Sequence, residues 1–168
     1  MIALIDADIV AYRCAASCDV REGGVIIDSS DEEIALLRTE QLMQEIIHAT
    51  EADSYRCFLS PSKNFRYEAY PEYKANRRNT VDPTHRKACK QYLMDSWNRE
   101  MFPGYETDDA LAWSQQKLNI ILGFDPQDIT VISSIDKDLK QVPGKHYDFV
   151  KKEWSDVTEI QGLSTVYQ

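Results

Sequence analysis

Short apolar runs rich in β-branched residues alternate along the chain with longer segments that repeat apolar residues at helical spacing. The short runs have the length of a buried sheet strand, and the longer segments have the period of an amphipathic helix. The strand candidates are residues 2–5, 55–59 and 129–132, and the helix candidates are residues 30–50, 82–97 and 106–122. Strands that alternate with helices predict an α/β fold, in which a mostly parallel central sheet is flanked by helices on both faces.

Local signals predict where several of these elements begin. Ser30 stands three residues before Glu33, as in a capping box, which predicts the start of a helix. Asp82 followed by Pro83 predicts a second start, with the aspartate as the cap and the proline at the first helical position. Paired glycines within residues 22–27 predict a turn or a small hairpin ahead of the first long helix.

Carboxylates follow two of the strand candidates and open one of the helix candidates. The six acids are Asp6, Glu106, Asp108, Asp109, Asp136 and Asp138. An aspartate can simply cap a helix, and acids in a first turn complement the helix dipole, so each group alone has a structural explanation. Because the carboxyl ends of parallel strands meet at one edge of a sheet, three such groups together predict a shared divalent-cation site. Oxygen ligands without histidine or cysteine favour Mg²⁺ or Mn²⁺, which beside a phosphodiester activate water and orient the phosphate.

The chain carries a formal net charge of -9, but a basic segment interrupts this acidic average. Residues 63–92 hold eight basic residues against three acids, a local charge of +5, so the rest of the chain carries -14. The basic residues are Lys63, Arg66, Lys74, Arg77, Arg78, Arg86, Lys87 and Lys90. Aromatic residues interleave with them, a combination that suits single-stranded or frayed nucleic acid, where rings stack on bases and cations neutralise phosphates. A solvated helix face with clustered charge is the alternative interpretation.

Size and composition bound the remaining possibilities. A length of 168 residues, 43% of them hydrophobic and 28% charged, fits one globular domain with a sizeable core. No apolar run approaches the roughly 18 to 20 residues of a membrane span, and the N-terminus lacks the pattern of a signal peptide. We therefore expect a cytoplasmic protein without a membrane partner. The four cysteines lack paired spacing, so we expect reduced, structural thiols.

Four motifs, spread in order along nearly the whole chain, resemble those of the 5′ nuclease family. They are LID at residues 4–6, PEYKANR at residues 71–77, ETDDA at residues 106–110 and SSIDKDLKQV at residues 133–142. This family includes the 5′-to-3′ exonuclease domain of bacterial DNA polymerase I, phage 5′ exonucleases and flap endonucleases. The resemblance implies a PIN-like Rossmannoid three-layer fold with a basic helical arch, which we expect at residues 63–100.

The resemblance also implies an activity and roles for individual residues. The activity is metal-assisted hydrolysis of DNA phosphodiester bonds near 5′ ends or single-strand to double-strand junctions, in phage or bacterial DNA replication or repair. The six acids would bind one or two Mg²⁺ ions, with Mn²⁺ as a substitute. Lys74 would contact the scissile phosphate, and Arg77 would stabilise the charge that develops on it. The residues expected to bind nucleic acid are Lys63, Arg66, Tyr73, Arg78, Arg86, Lys87 and Lys90.

Two features depart from the family pattern. Ser60 falls near the position where the family usually has an aspartate ligand at the end of the second strand. Family members also continue into a helix-hairpin-helix-like module that binds the downstream duplex, whereas this sequence stops at Gln168. We therefore expect a single domain over residues 1–168 without that module.

Three alternatives follow for such a chain. It binds its second metal weakly, a partner protein completes the site, or it has kept the fold of a nuclease and serves as a DNA-binding or regulatory protein. A PIN-type endoribonuclease shares the acidic site but normally lacks the Tyr-Lys-x-x-Arg motif of the arch.

Overall fold

A computed structural model of the chain describes residues 1–60, 81–97, 99–100, 106–122 and 129–158. In chain order, its strands are β1 (Ile2–Asp6), β2 (Asp19–Glu22), β3 (Val25–Ser29), β4 (Ser54–Phe58), β5 (Arg99–Glu100), β6 (Thr130–Ser133), β7 (Gly144–Asp148) and β8 (Glu153–Val157). Its α-helices are α1 (Ala7–Ala16), α2 (Glu32–Thr50), α3 (Arg86–Ser96) and α4 (Thr107–Leu122), and a short 3₁₀ helix spans Lys137–Gln141.

Within these residues, six strands form one sheet in the order β5-β4-β1-β6-β7-β8. Every neighbouring pair from β5 to β7 is parallel, and β8 lies antiparallel to β7. The first strand is central, with Asp6 opposite Phe58 of β4 and Ile5 opposite Ser133 of β6. The carboxyl ends of β1, β4 and β6 are therefore level at one edge of the sheet. This confirms the predicted α/β fold with a mostly parallel sheet.

The two faces of the sheet bury separate sets of side chains. One face packs Ile5 of β1 against residues of the first three helices, including Met43 and Leu93. The other face packs Leu4 of β1 against Leu111 of α4. Because successive side chains of a strand point to opposite faces, a strand covered by helices on both sides is apolar throughout. This explains the continuous apolar run at the start of the chain.

The predicted capping box at Ser30 is wrong. The second helix begins at Glu32, and its N-cap is Asp31, whose side chain makes no capping hydrogen bond. Ser30 is held instead by its backbone, because its N–H donates to the carbonyl of Cys18 at 2.9 Å and its carbonyl accepts from His85 Nε2 at 2.6 Å. These long-range bonds keep Ser30 in the loop that follows the hairpin.

The predicted helix start at Asp82 and Pro83 is also wrong, since α3 begins at Arg86. Asp82 accepts a hydrogen bond from the guanidinium of Arg86 at 2.9 Å rather than capping a first turn. The backbone N–H of Thr84 donates to the side chain of Asp19 on β2 at 3.0 Å. The turn before α3 is therefore bound to the hairpin of β2 and β3, and that hairpin confirms the predicted turn at residues 22–27.

Two further expectations concern the whole chain. All four cysteines, Cys14, Cys18, Cys57 and Cys89, are free and buried, which confirms structural thiols. Within the described ranges, no helix is both long enough and apolar enough to cross a membrane. Of the predicted arch at residues 63–100, residues 63–80 and 98 lie outside the described part of the chain, which includes α3 from the same region.

A buried amide ties α4 to the sheet at the amino ends of β6 and β7, the edge opposite the predicted cation site. The fully buried side chain of Gln115 donates from Nε2 to the carbonyl of Pro143 at 2.8 Å and accepts from Thr130 Oγ1 at 3.2 Å. Gly144, at a φ of +121°, lies directly against this amide. A Cβ at Gly144 would overlap the Gln115 side chain, and an L-residue is strained at this φ.

We expect Gly144→Ala to lower the free energy of unfolding by about 2 to 3 kcal/mol, because backbone strain adds to the displacement of a hydrogen-bonded side chain. Urea denaturation measures the loss. Gly24→Ala is the matched control, since Gly24 has a φ of +78° and no atom lies within 4 Å of the position that a methyl group would take there. Equal losses in the two variants would mean that Gln115 moves aside without penalty.

Candidate metal centre

The centre of the candidate site is Asp6, the last residue of β1 and the N-cap of α1. Its side chain is only 4% exposed. One carboxylate oxygen accepts a hydrogen bond from Ser134 Oγ at 2.7 Å, and the other accepts from the backbone N–H of Ile9 at 3.4 Å. Asp6 therefore caps a helix, and at the same time it is tied to the loop that follows β6.

Burial raises the pKa of the Asp6 carboxyl to about 7, against an ordinary value of 3.8. The negative charges of Asp8 and Asp136 contribute to this raised value, whereas the hydrogen bonds from Ser134 and Ile9 lower it. Two neighbouring carboxylates thus act on Asp6 at this edge of the sheet. A cation bound there would stabilise the ionised form of Asp6, and the oxygen-only donors fit a hard divalent ion such as Mg²⁺.

The loop after β6 brings Asp136 to Asp6 through one shared hydroxyl group. Ser134 Oγ, which donates to Asp6, also accepts from the backbone N–H of Asp136 at 3.1 Å. Asp136 then caps the 3₁₀ helix, because its side chain accepts from the backbone N–H of Asp138 at 2.9 Å. The side chain of Asp138 is exposed, so the two aspartates of this motif have different surroundings.

The first turn of α4 brings three more acids to the same edge. Glu106 is 6% exposed, and Asp108 and Asp109 are half-buried. Asp108 accepts a hydrogen bond from the backbone N–H of Asp109 at 3.0 Å. Among the residues that the structure describes, however, no three histidine, cysteine, aspartate or glutamate side chains lie close enough together to hold a metal ion. The six predicted acids share an edge but do not form a closed set of ligands.

Asp8 is a component of this edge that the sequence reasoning missed. Its Oδ2 accepts a hydrogen bond from the backbone N–H of Ser60 at 2.8 Å and another from Thr107 Oγ1. A carboxylate is therefore present at the end of β4, although Ser60 itself is neutral. The sequence feature that could have pointed to Asp8 is Asp-Ala-Asp at residues 6–8, which has the same spacing as Asp136 and Asp138.

Three of the predicted nucleic-acid-binding residues lie on α3. The ammonium of Lys90 donates to the carbonyl of Ser60 at 2.8 Å and lies 3.8 Å from Asp8 Oδ1, so it sits at the acidic edge itself. Arg86 lies over the ring of Tyr12, 5.5 Å from its centroid, and Lys87 is exposed. The other predicted catalytic and nucleic-acid-binding residues lie outside the described part of the chain, and these are Lys63, Arg66, Tyr73, Lys74, Arg77 and Arg78.

Residues 1–167 match the family model described as 5'-3' exonuclease, N-terminal resolvase-like domain. The chain belongs to this family. The predicted resemblance to 5′ nucleases is thereby confirmed over almost the full sequence. The family assignment applies to the domain, and the roles of the individual acids and basic residues stay predictions.

Solved structures from bacteriophage T5 share the fold. A T5 protein co-crystallised with metal ions is 19% identical, with a TM-score of 0.61 over 92% of this chain and 56% of that one. A T5 5′-exonuclease with bound zinc is 18% identical, with a TM-score of 0.61 over 92% and 57%. A T5 flap endonuclease in a complex with DNA and metal ions is 14% identical, with a TM-score of 0.58 over 92% and 57%. The chain thus spans a little over half the length of these proteins.

The raised pKa of Asp6 predicts a specific pH dependence of stability in the absence of metal. Because the pKa is higher in the folded than in the unfolded state, the folded state binds more protons between about pH 4 and 7. The free energy of unfolding therefore falls as the pH rises through this range. Asp6→Asn removes the effect, so we expect the variant to be more stable than the wild type at pH 8, by up to about 4 kcal/mol.

Urea denaturation in EDTA at pH 8 and pH 5 measures this difference, which should shrink at the lower pH. Asp138→Asn is the control, because its exposed side chain should leave the pH dependence unchanged. An advantage of Asp6→Asn over the wild type that does not shrink between pH 8 and pH 5 would contradict the predicted burial of charge at Asp6.

Proposed function

We propose that this domain is the metal-binding part of a Mg²⁺-dependent 5′–3′ exonuclease and flap endonuclease that hydrolyses DNA phosphodiester bonds. The observation that carries the proposal is the buried carboxylate of Asp6, held beside Asp8 and Asp136 where the central parallel strands end. Membership of the 5'-3' exonuclease family supports it. The metal ions and DNA named for the T5 proteins of the same fold support it as well.

The residues proposed to hold one or two Mg²⁺ ions are Asp6, Glu106, Asp108, Asp109, Asp136 and Asp138. A bound ion would supply hydroxide at neutral pH and neutralise charge on the scissile phosphate, and Mn²⁺ would substitute. Ser134 orients the carboxylate of Asp6, to which it donates, and fixes the backbone of Asp136, from whose N–H it accepts. Such neighbours fix the direction in which a carboxylate presents its lone pairs.

The proposed DNA contacts lie on the basic segment. Lys74 would contact the scissile phosphate and Arg77 would stabilise the developing charge, while Lys63, Arg66, Tyr73 and Arg78 would bind the strand beside them. On α3, Arg86 and Lys87 would contact phosphates next to the acidic edge. The substrate would be DNA with a 5′ end or a junction, in bacterial or phage replication or repair within the cytoplasm.

The direct test is incubation of the purified chain with labelled 5′-flap DNA, blunt duplex and matched RNA, in Mg²⁺, Mn²⁺ or EDTA. We expect cleavage of the flap DNA with either metal and none in EDTA. Asp136→Asn should lower the cleavage rate by about 100-fold or more with a modest loss of DNA binding, because it removes charge from the metal centre. Glu33→Gln, an exposed change on α2, is the control. Equal cleavage by Asp136→Asn and the wild type would remove Asp136 from the site.

A second candidate function is a nuclease-like DNA-binding or regulatory protein that needs a partner chain. It is favoured by the observation that no three acidic, histidine or cysteine side chains of the described residues are arranged closely enough to hold a metal ion. DNA binding without cleavage in any metal would support this function over the first. Cleavage of the RNA alone would instead favour a PIN-type endoribonuclease.

Binding of DNA through α3 has a separate test in the salt dependence of affinity. Lys87→Ala should weaken binding of 5′-flap DNA and reduce the slope of log K against log salt by about 1, because one phosphate contact is lost. Fluorescence anisotropy between low and moderate salt measures the slope. Lys117→Ala is the control, since Lys117 lies on α4 with its ammonium 4.3 Å from the centroid of the Trp113 ring. An unchanged slope in Lys87→Ala would exclude this contact.

A further inference from the structure

We propose that Asp8 is a positioning residue of the acidic edge, which fixes the first turn of α4 against the ends of β1 and β4 through hydrogen bonds. The inference rests on the proposed function, because it assigns Asp8 a part in building the same metal centre. It also gives Asp8 a role different from that of Asp6, which lies only two residues earlier in the chain and is a proposed metal ligand.

Asp8, Ser60 and Thr107 are linked by hydrogen bonds whose donors can be assigned. An ionised carboxylate only accepts hydrogen bonds, so the hydroxyl proton of Thr107 goes to Asp8 Oδ2. The hydroxyl of Ser60, 2.8 Å from Thr107 Oγ1, must then donate to Thr107. In return, the backbone N–H of Thr107 donates to Ser60 Oγ at 3.0 Å. Asp8 therefore sets the direction of the hydrogen bond between these two hydroxyl groups.

The network fixes α4 at its first residue. The backbone N–H of Thr107 is one of the N-terminal amides that have no partner within the helix, and Ser60 supplies that partner. Thr107 stands between Glu106 and Asp108, so its bonds to Asp8 and Ser60 determine where these acids lie. Asp8 connects the turn to the start of α1, across 99 residues of sequence.

The surroundings of Asp8 also indicate that it is not a metal ligand. Both hydrogen bonds fall on Oδ2, and Oδ1 faces the ammonium of Lys90 at 3.8 Å. The same ammonium donates to the carbonyl of Ser60, so it is held in place. The negative charge of Asp8 thus has a cation beside it, whereas the charged neighbours that act on Asp6 are the carboxylates of Asp8 and Asp136.

A series of variants at two positions separates hydrogen bonding from charge. Asp8→Asn keeps an oxygen that can accept from Ser60 and Thr107, and Thr107→Ser keeps the hydroxyl donor. Asp8→Ala and Thr107→Val each remove the bond between α1 and α4. The readout is the dissociation constant of Mn²⁺ without DNA, measured by electron paramagnetic resonance on variants whose circular dichroism matches that of the wild type.

We expect Asp8→Asn and Thr107→Ser to bind Mn²⁺ within about threefold of the wild type, and Asp8→Ala and Thr107→Val to bind about 10-fold or more weakly. An Asp8→Asn variant as weak as Asp8→Ala would show that the charge matters and would overturn the positioning role. Wild-type affinity in both Asp8→Ala and Thr107→Val would overturn it too.

Amide hydrogen exchange keeps the inference testable apart from metal binding. In metal-free protein, the N–H groups of Ser60 and Thr107 should exchange about 10-fold faster or more in Asp8→Ala than in the wild type, and at nearly wild-type rates in Asp8→Asn. Unchanged protection in Asp8→Ala would mean that Asp8 does not hold α4. A wild-type chain that binds no Mn²⁺ would instead count against the proposed function, while this exchange experiment would still decide the role of Asp8.

Discussion

The main constraint on this structure is a negative charge placed where a protein least easily accommodates it, at the buried end of the central strand. Asp6 has parallel neighbours on both sides, β4 and β6, and helices cover both faces of the sheet around it. An ionised carboxylate in such a place loses most of its hydration, and this is the main cause of its raised pKa. Neutral donors from Ser134 and Ile9 offset only part of that loss. A fold that keeps a carboxylate there is destabilised at neutral pH unless a cation compensates the charge.

Short polar contacts around Asp6 hold the neighbouring segments in fixed positions, although the carboxylates of Asp8 and Asp136 repel that of Asp6. Ser134 connects the ends of β1 and β6 through two hydrogen bonds, and Ser60 with Thr107 connects the end of β4 to α4. Further along α4, the buried amide of Gln115 fixes the helix against β6 and the start of β7. The acids are therefore carried by elements that are tied together independently of any metal. This is the property that a preorganised cation site requires, because ligands that are already in place lose little freedom on binding.

The fold could be predicted largely from local pattern, because runs such as residues 129–132 are apolar wherever both faces of a strand are buried. The placement of acids after β1 and β6 followed from the same reasoning. The starts of α2 and α3 could not be predicted from local sequence. Ser30 and Thr84 form hydrogen bonds with residues far away in sequence, and these tertiary bonds override local capping preferences. Asp8 was missed for the same reason. Its partners lie 52 and 99 residues away, and nothing in its immediate sequence indicates them.

The two Asp-x-Asp sequences show why spacing alone does not define a ligand pair. Asp6 ends a strand, whereas Asp8 lies in the first turn of a helix, where each residue rotates by about 100° about the axis. The two side chains therefore point to different neighbours: Asp6 to Ser134 beyond β6, and Asp8 to Ser60 beyond β4. In the second sequence, Asp136 is half-buried and caps a 3₁₀ helix with its carboxylate, while Asp138 is exposed and contributes its backbone N–H to that cap. Ser134 bonds to the first aspartate of each sequence, to the carboxylate of Asp6 and to the backbone N–H of Asp136. The change from extended to helical backbone between the two positions thus divides each pair into an inner carboxylate and an outer one.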